Sequence, residues 1–262
     1  MKIRFISKVK QNKNGIVCKL GEWIITGFIL ATISAIVTSS ILNCMEKHRI
    51  INEEINNISN IYIGCNKDWV DDRFGYPQFS SQKGEYLLCA YSSEYYMLQF
   101  AFDKYESAQA YLITALENNK DMQIVINDTT LGSNNQLCLG DFSYYDFPFT
   151  PIEVYGYATN GAGRYLYSET YYYAGGGGYY NYHIATLDYG IYFKNAIFEA
   201  LSQNIDVDDE VNSNMNQGFL SLVNRNECAP NSYGVSVVGF DMKNTLFEYS
   251  WFNSQQLRNK VD

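Results

Sequence analysis

The 262-residue chain carries 19 Lys+Arg against 28 Asp+Glu, a formal charge of −9, with 24 Tyr and 15 Phe but only 4 Pro. The negative sign argues against nucleic acid and against docking on anionic lipid, whose phosphates demand basic partners. Abundant aromatics and scarce proline exclude a low-complexity, disordered chain.

The first 22 residues hold Lys2, Arg4, Lys8, Lys10, Lys13 and Lys19 against a lone Glu22, and residues 23–42 carry no charge. Twenty residues at about 1.5 Å each cover roughly the 30 Å hydrocarbon core of a bilayer, so 23–42 predicts one transmembrane helix. Only Lys47 and Arg49 supply cations in the next 20 residues. The basic excess therefore places 1–22 in the cytoplasm and the rest of the chain outside it. Two alternatives to a permanent anchor stand beside this reading. One is a signal peptide cleaved near Val37-Thr38-Ser39-Ser40, and the other is lipid attachment at Cys44 within Ile41-Leu42-Asn43-Cys44. Setting aside residues 1–42, with six basic and one acidic side chain, leaves 13 basic and 27 acidic, a charge of −14. That acidity keeps an exported domain soluble and secondarily attracts cations or basic partners.

Ile51, Ile55, Ile58 and Tyr62 recur at helical spacing, which predicts a juxtamembrane stalk over 43–60 that continues the membrane helix. An α+β subdomain is expected over 61–150. It opens with a short helix capped by Asn66, with Asp68 in its first turn, Trp69, Val70 and Phe74 on an apolar side, and Gly75 and Pro77 ending it. On this reading Trp69 and Phe74 pack on the following hairpin, while Asp71 and Asp72 face solvent. Strands at 85–91 and 95–102 form that hairpin around Ser92-Ser93-Glu94. In the second strand Tyr96, Leu98, Phe100 and Phe102 make the core face, opposite Tyr95, Met97, Gln99 and Ala101. Residues 105–116 fit helix and strand equally, 122–127 reads as a strand, and 118–121 and 132–135 read as turns.

A mostly β subdomain is expected over 151–262, where 12 of the 24 tyrosines fall between Tyr155 and Tyr192. Tyrosine-rich strands at 164–173 and 179–187 meet through Gly175 to Gly178, a hairpin tip suited to glycine's positive φ. Short helices are predicted at 195–203 and 219–223, and strands at 234–240 and 245–252. The fold class is α+β: an N-terminal transmembrane helix and stalk, then an outward part dominated by antiparallel sheet.

Of six cysteines, Cys65, Cys89, Cys138 and Cys228 fall in the folded part, where three disulfide pairings or buried free thiols are equally open. No C-x-x-C occurs, so neither a zinc knuckle nor a thioredoxin-like site is indicated, and no cofactor is expected. Of the two histidines, His48 lies beside the span, and His183 reads as a sheet residue without a Gly-x-Ser-x-Gly motif to make it a triad base. Asp71, Asp72, Asp141, Asp146, Glu153 and Glu169 are the candidates for a glycosidase-like pair, which requires a separation of roughly 5 to 9.5 Å. The acidic run at 206–210 departs from a calcium loop at Val211 and Gln217 and reads as a solvated turn. Gly175 to Gly178 leads into Tyr179-Tyr180 rather than Lys-Ser/Thr and a helix, so it is no phosphate loop. The tyrosines read first as sheet formers and second as a protein- or glycan-binding face.

The Gly-x-x-x-x-Trp-Val-x-x-x-Phe-Gly-x-Pro stretch at Gly64 to Pro77 resembles a family of uncharacterised bacterial membrane-anchored proteins. The Tyr-Ser-Glu-Thr-Tyr-Tyr run at 167–172 and Pro230-Asn231-Ser232-Tyr233-Gly234 extend that resemblance over most of the outward part. It implies topology and fold but supplies no catalytic residue. Residues 60–116 are also similar to envelope assembly lipoproteins of the SmpA/OmlA type, a fold used for protein contacts. The expected function is a non-enzymatic, membrane-anchored envelope domain that binds a protein or glycan. An envelope hydrolase using paired carboxylates is the alternative.

Overall fold

A computed structural model describes residues 2–116, 124–126, 137–147, 150–159, 164–175, 178–188 and 229–247. Two compact units result, Met1–Glu54 and Ile55–Asp262. The first unit is helical, formed by the greater part of α1 (Lys2–Ser59), an unbroken helix that takes in both the predicted span and the stalk. Its Thr26–Ser59 stretch is long and apolar enough to cross a membrane. Within the span Thr32 and Ser40 return their hydroxyls to the carbonyls of Phe28 and Ile36, so their polar groups are satisfied inside the helix.

The second unit is built on one antiparallel sheet of eight strands. They are β1 (Phe79–Lys83), β2 (Tyr86–Ser92), β3 (Tyr96–Phe102), β4 (Ala108–Ala115), β7 (Glu153–Thr159), β8 (Arg164–Gly175), β9 (Gly178–Asp188) and β10 (Ser232–Val237). Between the two sets, β5 (Val125–Ile126) and β6 (Leu137–Cys138) form a small separate pair. The sheet order is β1-β2-β3-β4-β10-β9-β8-β7. Each half is thus a four-stranded meander, and the last strands of the two meanders pair antiparallel at the β4·β10 seam. A short helical segment precedes each meander: α2 (Lys67–Phe74) before β1, and a 3-10 turn (Tyr144–Asp146) before β7. Both pack on the same face against the second strand of their meander, Phe74 on Tyr91 of β2, and Tyr144 and Phe147 on Tyr167 and Tyr171 of β8.

Register fixes what each face carries. Along the helix-bearing face Tyr91, Leu98, Ile113, Tyr233, Ile184, Glu169 and Val154 stand directly opposite one another from β2 to β7. The other face carries Ala90, Gln99, Leu112, Gly234, His183 and Thr170 in the next row. Residues 240–247 cross this second face as a strap. Phe240 meets the ring of Tyr86 at 5.0 Å, Gln99 donates to the carbonyl of Leu246, and Lys243 Nζ sits 4.6 Å from the centre of the Tyr155 ring. Under the strap Leu88, Ala101, Ala110, Leu112, Leu166, Ala185 and Leu187 form a core with Phe240, Met242, Leu246 and Phe247.

Several expectations are corrected here. All of β3 is buried on both faces, and the strap covers Gln99 and Ala101 of the set expected to face outward. Residues 245–247 are turns rather than the start of a strand; of the expected strand at 122–127, the described residues 124–126 hold the strand Val125–Ile126. Residues 105–116 resolve into strand β4. The helices expected at 195–203 and 219–223, the turns at 118–121 and 132–135 and the acidic run at 206–210 lie outside the described residues.

The seam explains the Pro230 to Gly234 motif. Asn231 donates to the carbonyl of Leu187 and accepts from its N–H, extending the β9 ladder with a side chain. Gly234 has no room for more: a Cβ there would lie 2.6 Å from the Tyr111 carbonyl oxygen and 3.3 Å from Met242 Cε. Gly234→Ala is therefore expected to force β10 off β4, at the cost of about 1–3 kcal/mol typical of overpacking. A melting temperature equal to the parent's would contradict the seam.

Candidate functional site

The helix α2 follows its sequence signals closely. Asn66 accepts from the Asp68 N–H at 2.9 Å, and Gly75 ends the helix at φ 77°. The face it buries differs from the expectation. Lys67, Val70, Asp71 and Phe74 are spaced i, i+3, i+4 and i+7, and this stripe meets the sheet. Val70 is fully buried, whereas Trp69 sits half-buried on the flank, 5.9 Å from the ring of Tyr62 and under the Arg73 guanidinium at 3.9 Å. Phe74 is half-buried as well, and it packs on Tyr91, which in turn meets Phe100 at 5.9 Å.

Asp71 is likewise not a solvated carboxylate. Its oxygens accept from Lys67 Nζ at 2.5 Å and from the Tyr91 hydroxyl at 2.7 Å. Burial alone would lower the Lys67 ammonium, but the hydrogen bond and charge of Asp71 prevail and raise it. Burial, then the Asp71 hydrogen bond, hold the Tyr91 phenol protonated well above its ordinary range. Asp71→Ala should lower the unfolding midpoint by about 1–3 kcal/mol, because a buried hydroxyl loses its acceptor. Asp72→Ala, at an exposed position, should stay within about 0.5 kcal/mol. Equal midpoints for the two variants would return Asp71 to solvent.

His183 lies on β9 beneath the strap, 6.2 Å from the ring of Phe247. Its Nε2 is 2.9 Å from Ser236 Oγ and its Nδ1 3.1 Å from Thr170 Oγ1. This is the outline of a nucleophile, base and orienting group, but the third member is a hydroxyl rather than a carboxylate. Ser236 is fully enclosed, and burial pushes the imidazole down to about 3. A base that weak, closed off from substrate, serves the packing of the seam. Thr114 and Ser232 extend the same polar seam with a hydroxyl pair at 3.0 Å.

Glu169 is fully buried on the opposite face. Tyr167 donates to one carboxylate oxygen at 2.6 Å and Tyr171 to the other, so the 167–172 motif folds back on itself through residues two apart in one strand. Of the candidates for paired-carboxylate chemistry, Asp71 is half-buried and Glu169 enclosed. They hang on α2 over β2 and on β8, five strand positions apart in the sheet, about 24 Å at the usual strand spacing. The register of Glu153 with Thr170 places Glu153 on the strap face. Asp146 is held below the usual carboxylate range by the backbone N–H and hydroxyl of Ser143. Asp72 and Asp141 are exposed.

Cys65 and Cys89 are buried free thiols, both pushed up to about 11 by burial, and Cys138 is free and half-buried. Cys228 lies outside the described residues. Among the described residues no three His, Cys, Asp or Glu side chains gather as a metal cage.

Besides the exposed carboxylates, the accessible side chains among the described residues include several tyrosines. Tyr76, Tyr105 and Tyr145 are exposed singly, whereas Tyr172 and Tyr179 stand together at the β8–β9 hairpin, 47% and 65% exposed. Their rings are 6.5 Å apart and within 9° of parallel. The pairing of Tyr172 with Asn181 and of Ala174 with Tyr179 puts both rings and Asn181 on one face. Period-two alternation folded about Gly175 to Gly178 contains this juxtaposition, although tyrosine count alone does not single it out. No family model matches the chain, and comparison with curated proteins and with solved structures gives no match either.

Proposed function

We propose that the protein is a non-enzymatic binding domain of a bacterial cell envelope, anchored through residues 23–42 with its N-terminus in the cytoplasm and its sheet unit outside. One observation carries the reading. His183, Ser236 and Glu169 are committed to hydrogen bonds within closed layers and the half-buried Asp71 to Lys67 and Tyr91, while paired tyrosines occupy the surface. The six cations ahead of the span support the orientation. The three motifs that resemble membrane-anchored envelope proteins hold the α2 contact, the Glu169 cage and the seam, so they act as fold determinants.

Full-length protein in detergent, incubated with cell-wall polysaccharide and with cross-linked envelope extract, is expected to be retained without consuming either. Release of new reducing ends or amino groups, abolished by Glu153→Gln or Asp141→Asn, would overturn the reading in favour of a hydrolase.

A further inference from the structure

We propose that the β8–β9 hairpin arm is a carbohydrate-binding site for a neutral glycan, formed by Tyr172, Tyr179 and Asn181. The proposal deepens the binding-domain reading and rests on it. Strand β7 leaves β8 at the Glu153–Thr170 pair, and β10 leaves β9 at the Val237–Tyr180 pair. The hairpin therefore runs past both neighbours as a two-stranded arm that carries Tyr179, with Tyr172 and Asn181 at its base, where Ser236 of β10 still pairs with Asn181. A tyrosine face attracts the C–H edges of a flat, weakly apolar ligand, and two χ angles per ring keep the cost of ordering it low.

Asn181 is flanked by both rings, opposite Tyr172 in the pairing and two residues from Tyr179. Among the described residues its Oδ1 is shielded from water and has no hydrogen-bond partner. Such an acceptor is costly until a donor arrives, and a sugar hydroxyl supplies one while its ring stacks on the tyrosines. The proposal requires the exposed Tyr172 and Tyr179 rings to turn about χ1 far enough to admit that hydroxyl. Charge decides the class of glycan. Tyr171 to Tyr182 contains no Lys, Arg, Asp or Glu, so the arm offers nothing to pair with an ionic ligand, and the −14 charge beyond the span repels polyanions.

The test uses full-length protein in detergent, with chitohexaose and cellohexaose as neutral probes, heparin as the polyanion, and titration calorimetry as the readout. At least one neutral hexasaccharide is expected to bind, and heparin is not. Tyr172→Ala and Tyr179→Ala should each weaken binding tenfold or more, Tyr172→Phe should retain it, and Asn181→Leu should weaken it with stacking intact. Tyr105→Ala serves as the surface control, and unchanged melting temperatures exclude misfolding. Binding that survives the double Tyr172→Ala/Tyr179→Ala variant would sink the site while leaving the binding-domain reading standing. Absence of neutral-glycan binding, with Tyr172-dependent capture of an envelope protein instead, would overturn the glycan class alone. Failure to retain any envelope component would remove both.

Discussion

Phe100→Ala is expected to lower the stability of the sheet unit by about 3–5 kcal/mol, a large fraction of a domain's total. Phe100 is fully buried in the middle of β3. Its ring meets Tyr91 at 5.9 Å, Phe102 at 5.3 Å and Tyr111 at 6.1 Å, linking β2, β3 and β4 beneath α2. Truncation opens a cavity on the face where α2 docks, so Tyr91 loses the Phe100 contact while keeping Phe74 and its Asp71 hydrogen bond. Urea unfolding of the detergent-solubilised chain, followed by the β signal in circular dichroism, measures the loss. A midpoint shift smaller than that of Asp71→Ala would show that α2 and its carboxylate, rather than the aromatic layer, hold this half together.

The second large effect is acid destabilisation through His183. Its folded value of about 3 lies far below the ordinary 6.5, because ionisation would place a charge under the strap. Between these values the unfolded chain binds a proton that the folded chain does not. The contribution is therefore fully present above about pH 6.5 and is lost at about 1.4 kcal/mol per unit as pH falls toward 3. From pH 7 to pH 5 the parent should lose about 2 kcal/mol through this group alone. His183→Gln keeps an amide beside Ser236 and Thr170 but binds no proton, so its unfolding midpoint should change less over the same interval. Equal pH slopes for parent and variant would mean that His183 reaches solvent in the folded state.

Local chemistry was legible where the answer lies within a few residues. The Asn66 cap, the Gly75 stop, the hairpin about Ser93 and the glycine tip of β8–β9 all follow from their own sequence. Placement across the sheet was not. Strand β1 is polar and takes its burial alternation from pairing with β2, so nothing in Phe79–Lys83 announces it. The strap is what turns Gln99 inward, and Asp71 finds Tyr91 20 residues away. His183 finds Ser236 53 residues away, because a long connection separates Asp188 at the end of β9 from Ser232 at the start of β10. The candidate site was half legible: tyrosine richness was visible, while the pairing of Tyr172 and Tyr179 into one exposed face needed the register. Apolar periodicity within α2 did not distinguish the Lys67, Val70, Asp71 and Phe74 stripe from a face centred on Trp69, since Trp69 also borders Val70 on an eight-residue helix.

The account stands on the anchor and its orientation, because an envelope-binding role requires the sheet unit outside the cytoplasm. Carrying one epitope tag at each terminus, the chain can be expressed in a bacterial host and its spheroplasts treated with external protease. We expect the C-terminal tag to disappear from intact spheroplasts while the N-terminal tag and residues 1–22 persist until the membrane is permeabilised. A C-terminal tag that survives until lysis would contradict the account.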